Sequence, residues 1–147
     1  MKIRLLNMIP PGVIKDNAAF VANVIDKQAD LPHGAKGILF VGQLGVTDIA
    51  MAAFKFVQSD TKTDATNLGG PPSDVKDSAS KASATDDGKF VAIYVPTEKW
   101  TQRYGQLQAT AGDGAAGTYF SAIGIVDMPG VSGMNVTDLN VAILDIA

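Results

Sequence analysis

The sequence contains no cysteine and only one histidine, His33, among its 147 residues. Without thiols there is no disulfide framework, no thiolate nucleophile and no zinc site of the common cysteine type. One histidine cannot build a multi-histidine metal centre, and it leaves a single side chain whose ordinary pKa lies near neutrality. His33 stands between Pro32 and Gly34, where we expect an exposed turn. We therefore expect no catalytic site, no metal and no cofactor.

Charge of either sign is also scarce. Lysine and arginine number 12 against 15 acidic residues, which gives a net charge of -3, and no basic run is present. Binding to a nucleic acid backbone needs clustered positive charge, so we expect no nucleic acid partner. No apolar run reaches the roughly 18 residues that cross a bilayer, and the first residues lack the pattern of a signal peptide. We expect no membrane partner and synthesis in the cytoplasm.

Glutamate is nearly absent, because only Glu98 among the 15 acidic residues is a glutamate. Glutamate favours helices, whereas aspartate favours turns and caps, and the chain also carries 15 glycines and 7 prolines. Hydrophobic residues make up 46% of the sequence, enough for one core at this length. The composition predicts a single all-β domain, an antiparallel sandwich or barrel of seven to nine strands with no helix.

The apolar residues follow strand periodicity in several segments. Residues 37–46 are apolar at both odd and even positions, which predicts a central strand buried on both faces. Phe54 and Phe56 alternate with Lys55, so we expect the phenylalanines to face the core. We predict further strands at residues 18–25, 89–95, 103–111, 118–127 and 136–146. A short glycine-rich link joins 103–111 to 118–127, which predicts a hairpin, and Tyr104, Gln106, Gln108 and Thr110 share a face of the earlier strand that we expect to be wet.

Three segments differ in character from these strands. Residues 1–12 form an apolar arm that ends at two prolines and a glycine, residues 59–88 are polar and variable in character, and residues 128–147 form a C-terminal extension. We expect a short edge strand at 74–78 within the polar segment, because long structureless loops are uncommon in compact domains. The arm and the tail either pair within their own domain or add a strand to a neighbouring molecule.

Two motifs have both a functional and a structural interpretation. Residues 112–117 match the G-x-G-x-x-G pattern of dinucleotide-binding proteins, but a strand-like run follows where that site needs a helix, so we interpret the glycines as a turn. The aspartates at 60, 64, 86 and 87 either hold a calcium ion or cap their own loops. No calcium-loop spacing is present, and we expect capping.

The aromatic residues also leave two interpretations open. Trp100 and the three tyrosines form either a platform for sugar rings or a set of core and interface anchors. The first interpretation corresponds to a carbohydrate-binding or adhesion domain. The second corresponds to a structural protein.

The second half of the chain resembles a known family. Residues 89–96 read Lys-Phe-Val-Ala-Ile-Tyr-Val-Pro, residues 103–108 read Arg-Tyr-Gly-Gln-Leu-Gln, and residues 117–122 read Gly-Thr-Tyr-Phe-Ser-Ala. These runs resemble the capsid cement (decoration) proteins of tailed phages, the group typified by the cement protein of a Bordetella phage. The resemblance spans about residues 23–126 and implies a jelly-roll domain without catalytic residues.

The resemblance also implies a partner and a location. Such a protein binds the major capsid protein on the outer surface of the mature phage head and stabilises the expanded shell. We expect this protein to act there as a dimer or trimer. The candidate contacts with the capsid or with a second copy are Ile3, Leu5, Leu6, Trp100, Tyr104, Val141 and Ile143.

Overall fold

The computed structural model describes residues 4–12, 14–77, 83–128 and 141–146, which form two packed β-sheets. Across the larger sheet the order is β1 (Leu5–Ile9), β10 (Thr118–Asp127), β5 (Gly37–Thr47), β8 (Phe90–Pro96) and β11 (Val141–Ile146), with β2 (Ile14–Lys15) beside β10. The smaller sheet runs β3 (Ala19–Phe20), β9 (Tyr104–Thr110), β6 (Ala53–Ser59) and β7 (Ser73–Asp77), with β4 (Ile25–Asp26) also beside β9. Neighbouring strands are antiparallel except β8 and β11. The predicted all-β sandwich is confirmed.

The core lies between the sheets and is built mainly from aromatic rings. Phe40 of the larger sheet stacks on Phe56 of the smaller one at a centroid distance of 4.9 Å. Trp100 meets Phe56 edge to face at 5.2 Å, and the rings of Phe20 and Phe54 pack on Phe120. Such tilted and offset pairs add to the stabilisation from burial. The predicted core position of Phe54 and Phe56 is confirmed.

The strand predictions hold for the long segments. The central strand at 37–46 is β5, which has a neighbour on each side, and the edge strand predicted at 74–78 is β7. The predicted hairpin is wrong, because β9 belongs to the smaller sheet and β10 to the larger one. The glycine-rich link crosses between the layers. A Cβ on Gly112 would lie 2.3 Å from the carbonyl oxygen of Ala50, so the close passage of the link requires glycine there.

The single strand predicted at 18–25 is two short strands, β3 and β4. Phe20 lies opposite Ala109 and Ile25 opposite Gly105, so the chain advances five residues against four on β9. The extra residue forms an irregular segment at 21–24, of the kind a β-bulge introduces. One helical turn, α1 (Lys27–Asp30), follows β4 and is capped by Asp26. The expectation of no helix was wrong for these four residues.

The two ends of the described chain pair within their own domain. β1 pairs with β10, and β11 pairs with β8, so each lies at an edge of the larger sheet. Ile3 and residues 136–140 of the predicted last strand lie outside the described residues. No helix in the described part of the chain is long and apolar enough to cross a membrane.

A candidate interaction surface

The side of the larger sheet that faces away from the core, here called the outer face, carries mainly apolar side chains. The alternation of β10 sets its direction, because residues at even positions are buried and those at odd positions are not. The register with β1, β5 and β8 then fixes the other members. The outer face comprises Leu5, Asn7, Leu39, Val41, Gln43, Phe90, Ala92, Tyr94, Tyr119, Ser121, Ile123, Ile125 and Asp127.

The middle of the outer face is close-packed although nothing described covers it. Leu39 and Ala92 are 4% and 1% exposed, yet neither belongs to the core cluster between the sheets. In the sheet register Leu39 lies between Ile125 and Tyr94, and Ala92 lies beside Val41. Ile123 and Leu5 on the same face are more exposed, at 43% and 62%. The outer face is therefore a continuous apolar surface rather than a few isolated side chains.

Asp127 is the one charged residue among the described side chains of the outer face. Its Oδ2 accepts a hydrogen bond of 2.7 Å from the hydroxyl of Tyr94. Partial burial of the phenol, together with this carboxylate, raises the pKa of Tyr94 to about 12. Gly37 makes room for the ring, because a Cβ there would lie 2.6 Å from the Tyr94 hydroxyl. The carboxylate of Asp127 is thus hydrogen-bonded to a neighbouring side chain.

An apolar corner, formed by Ile14, Val46 and Tyr119, extends the outer face at one end. Ile14 and Val46 are among the most exposed large apolar side chains described, at 63% and 67%. Together with Gly45 and the Ala116–Gly117 turn they line a concavity of about 380 Å³. Gly45 lacks the side chain that would meet the Cβ of Tyr119 at 2.9 Å. The Tyr119 side chain therefore lies close to Gly45 of β5 and forms one wall of the corner.

A shallow groove of about 320 Å³ runs between this corner and β1. Its walls include Ile9, Val41, Phe90 and Ile123, and its polar groups come from Asn7, Gln43 and Ser121. Solvent-facing sides of antiparallel sheets usually carry polar residues. Exposed apolar patches of this kind mark interaction sites in soluble proteins.

The smaller sheet presents a different chemistry on its own outward side. Tyr104, Gln106, Gln108 and Thr110 share that side, as predicted, and Lys55 of β6 lies opposite Gln108. The prediction that the whole face is wet was wrong for Gln106, which is 8% exposed because its amide lies beneath residues 22 and 66. The edge strand β7 is charged, and its Asp74 forms an ion pair with Lys55. The outer face of the larger sheet is thus mainly apolar, and the outward side of the smaller sheet is polar.

The predicted contact residues fall in different places. Leu5 lies on the outer face, whereas Leu6 points inward and packs against the core. Trp100 is 1% exposed, packed against Phe56, and so offers no surface to a partner or a sugar ring; its selection as a contact was wrong.

The remaining predicted contacts are distant from the outer face or only partly described. Tyr104 lies on the smaller sheet, with Lys62 and Arg103 each within 5.3 Å of its ring centre. Val141 and Ile143 belong to β11 by their backbone pairing. Their side chains, like Ile3, lie outside the described part.

The glycine-rich loop and the aspartate-containing loops are held by hydrogen bonds within the chain. In the loop at 112–117, the backbone amides of Ala115 and Ala116 donate to Asp48 Oδ2 at 2.5 and 2.6 Å, which lowers the pKa of Asp48. Asp64 accepts from the backbone amide of Thr66, and Asp86 from that of Ser83, as expected for capping residues. His33 lies exposed in a turn.

Sequence reasoning missed most of the outer face. It assigned segments that are apolar at both odd and even positions to burial, whereas Val41, Phe90 and Ile123 lie on a sheet face that nothing in the described part of the chain covers. The signal was present, because strands 89–95 and 118–127 also carry apolar residues on both parities. Ile14 and Val46 gave no signal, because their proximity depends on the pairing of β2 with β10.

Comparison of the chain with protein-family models, with curated proteins and with solved structures finds no match. The function is therefore argued from the geometry of the outer face and from the sequence runs described above.

Proposed function

We propose that the protein is a structural component of a phage particle that binds the outer surface of the mature head between major capsid protein subunits. The observation that carries this proposal is that the outer face is a continuous apolar surface, with Asp127 as the one charged residue among its described side chains. The resemblance to capsid cement proteins supplies the identity of the partner. In this proposal the domain has jelly-roll connectivity, is not an enzyme, and acts as a dimer or trimer.

The outer face is suited to tight packing on another protein. Burying one large apolar side chain contributes about 1.5–3 kcal/mol, so a few anchors offset the cost of association. Val46, Ile14 and Leu5 are the most exposed apolar anchors of this surface, and Ile123 is the next. The residues that line the corner around Ile14 and Val46 and the groove around Ile123 are uncharged, so little desolvation penalty opposes docking there.

A cement function follows from binding to the assembled lattice. A protein that spans two subunits of an expanded shell binds that shell better than free subunits, and it stabilises the shell by mass action. An interface of about 1,600 Å² is sufficient for specificity, and repetition over the lattice adds the benefit of multivalency. No covalent chemistry is required.

The alternative of a carbohydrate-binding or adhesion domain that uses the aromatic residues has little support from the geometry. Trp100 lies in the core, and the hydroxyl of Tyr94 is bonded to Asp127. Tyr104 and Tyr119 lie on opposite sheets, so the aromatic rings form no common platform.

Charge insertion on the outer face tests the proposal. Ile123→Asp places a carboxylate at the centre of the face, and Val46→Asp places one in the apolar corner. Val21→Asp is the matched control, because Val21 is similarly exposed, at 60%, but follows β3 at the other sheet. Burial of an unpaired carboxylate is unfavourable, so we expect the first two variants to bind expanded capsids at least about tenfold more weakly.

The measurement is sedimentation of each purified variant with expanded capsids that lack the protein, after circular dichroism has shown that the variant is folded. Val21→Asp should bind like the wild type. Equal binding by all three folded variants would contradict the assignment of the outer face as the capsid-binding surface.

A further inference from the structure

The glycine-rich link, residues 112–117, borders the apolar corner but buries few side chains of its own. Asp113, Ala115 and Ala116 are exposed. Ala116 and Gly117 nevertheless form one wall of the corner, beside Tyr119. The position of this wall therefore depends on contacts other than side-chain burial.

Two carboxylates hold the link through its backbone. Asp48 Oδ2 accepts hydrogen bonds from the amides of Ala115 and Ala116 at 2.5 and 2.6 Å. Asp16 Oδ1 accepts from the amide of Gly114 at 2.9 Å. Within the described part of the chain, these three amides donate to no other acceptor. Hydrogen bonds to an ionised acceptor are stronger than neutral ones, so the two carboxylates fix three consecutive residues of the link.

Asp48 also joins this wall to the opposite side of the corner. It stands two residues after Val46, which lines the corner from β5. The backbone beside Val46 is itself held, because the amide of Thr47 donates to Asp87 Oδ1 at 2.9 Å. The bonds from Asp48 therefore set the position of Ala116 relative to a fixed Val46.

Two glycines of the link allow this close arrangement. A Cβ on Gly114 would lie 2.2 Å from Asp48 Oδ1. Gly117 has a φ of +81°, which favours glycine, and a Cβ there would lie 2.8 Å from the carbonyl oxygen of Lys15 and 3.0 Å from Ile14 Cγ2. The link thus packs against both Asp48 and β2, so a displacement of the link would also change the surroundings of Ile14.

We propose that Asp48 is a positioning residue that holds the apolar corner in the shape that docks on the capsid. The inference rests on the proposed capsid-binding function and assigns to Asp48 an action through the link amides. When a binding-competent conformation is only partly populated, the apparent dissociation constant rises by the inverse of its population. Release of the link should therefore weaken binding by slowing association, with the dissociation rate unchanged.

The test compares three variants of the full chain, each shown to be folded by circular dichroism. Asp48→Ala removes the acceptor of both amides. Asp48→Asn removes the charge but keeps a carbonyl oxygen that can accept from both. Asp113→Ala is the matched control, because Asp113 is an exposed aspartate of the same link whose carboxylate bonds to no residue that the structure describes.

Two measurements separate the position of the link from capsid binding. Solvent-exchange NMR reports the amides of residues 114–116 without a capsid, and biolayer interferometry on immobilised expanded capsids gives the association and dissociation rates. We expect Asp48→Ala to exchange the amides of Ala115 and Ala116 at least about fivefold faster and to associate at least about fivefold more slowly. Asp48→Asn should recover most of both losses, and Asp113→Ala should match the wild type.

Unchanged amide exchange or unchanged association in folded Asp48→Ala would overturn the proposal. An Asp48→Asn variant as weak as Asp48→Ala, or an equal loss in Asp113→Ala, would also overturn it, because the partner would then respond to the charge itself. Failure of the wild type to bind would instead contradict the capsid-binding function. Normal binding by the wild type with an unaffected Asp48→Ala variant would contradict the positioning role alone.

Discussion

Gly42 and Phe120 provide a quantitative test of how the core packs on the larger sheet, to which both residues belong. A Cβ on Gly42 would lie 2.3 Å from Phe120 Cζ and 3.1 Å from Val91 Cγ2, in a part of the core that is fully buried. Gly42→Ala should therefore overpack the core and destabilise the protein by about 1–3 kcal/mol, although alanine is otherwise preferred to glycine in a strand. Phe120→Leu removes the far ring atoms and should cost about 1–2 kcal/mol.

The double variant tests the reasoning more sharply than either change alone. In Gly42→Ala with Phe120→Leu, the new methyl group no longer meets the ring edge. The free energy of unfolding lost in the double variant should therefore be smaller than the sum of the two single losses by at least about 1 kcal/mol. Gly124→Ala is the matched control on the neighbouring strand, because its Cβ would have no neighbour closer than 3.3 Å. Its cost should stay below about 1 kcal/mol.

The assay is urea unfolding followed by the fluorescence of Trp100, which is the only tryptophan and is buried. With an m-value of about 1–3 kcal/mol/M, a loss of 2 kcal/mol moves the midpoint by about 1 M. Circular dichroism should give the same midpoint if unfolding is two-state. Additive costs in the double variant, or equal costs for Gly42→Ala and Gly124→Ala, would refute the close packing of Phe120 against Gly42 of β5.

Two further predictions concern ionisable groups. The hydrogen bonds from Arg103 hold the pKa of Asp26 below its ordinary value of 3.8, so the ionised carboxylate stabilises the fold above that pH and the contribution disappears as pH falls through the folded pKa. Asp26→Asn should therefore lower the urea midpoint at pH 7, with a gap to the wild type that closes as the pH falls below 3.8, and a gap independent of pH would contradict this. For Tyr94, an absorbance titration should show one tyrosine ionising near pH 12 in the folded protein. That step should be missing in Tyr94→Phe, and its persistence there would assign the raised pKa to another tyrosine.

Local sequence patterns predicted most of the sandwich. The both-parity apolar run of β5 and the alternation of Phe54 and Phe56 reflect burial that any packed sheet imposes on its central strands. The layer to which each strand belongs could not be predicted in the same way. The link at 112–117 is short enough for a hairpin, and its path depends on Gly112 passing the carbonyl of Ala50, which is distant in sequence.

The candidate sites depend even more on distant contacts. The amides of Asn23 and Val24 donate to Met8 and Ala65, which are distant in sequence, so the break between β3 and β4 has no local signature. Trp100 is buried because Gly105 leaves space for its ring, where a Cβ would lie 2.7 Å from Cζ2. The outer face had a local signal, but periodicity alone does not distinguish an uncovered apolar side from one covered by a second layer.

The most direct test of the proposed function is co-sedimentation of the wild-type protein with capsids that lack it, in the unexpanded and the expanded form. The proposal predicts saturable binding to expanded shells, weaker binding to unexpanded ones, and a higher temperature of shell disruption once the sites are filled. An absence of binding to both forms, from a protein that circular dichroism shows to be folded, would contradict it.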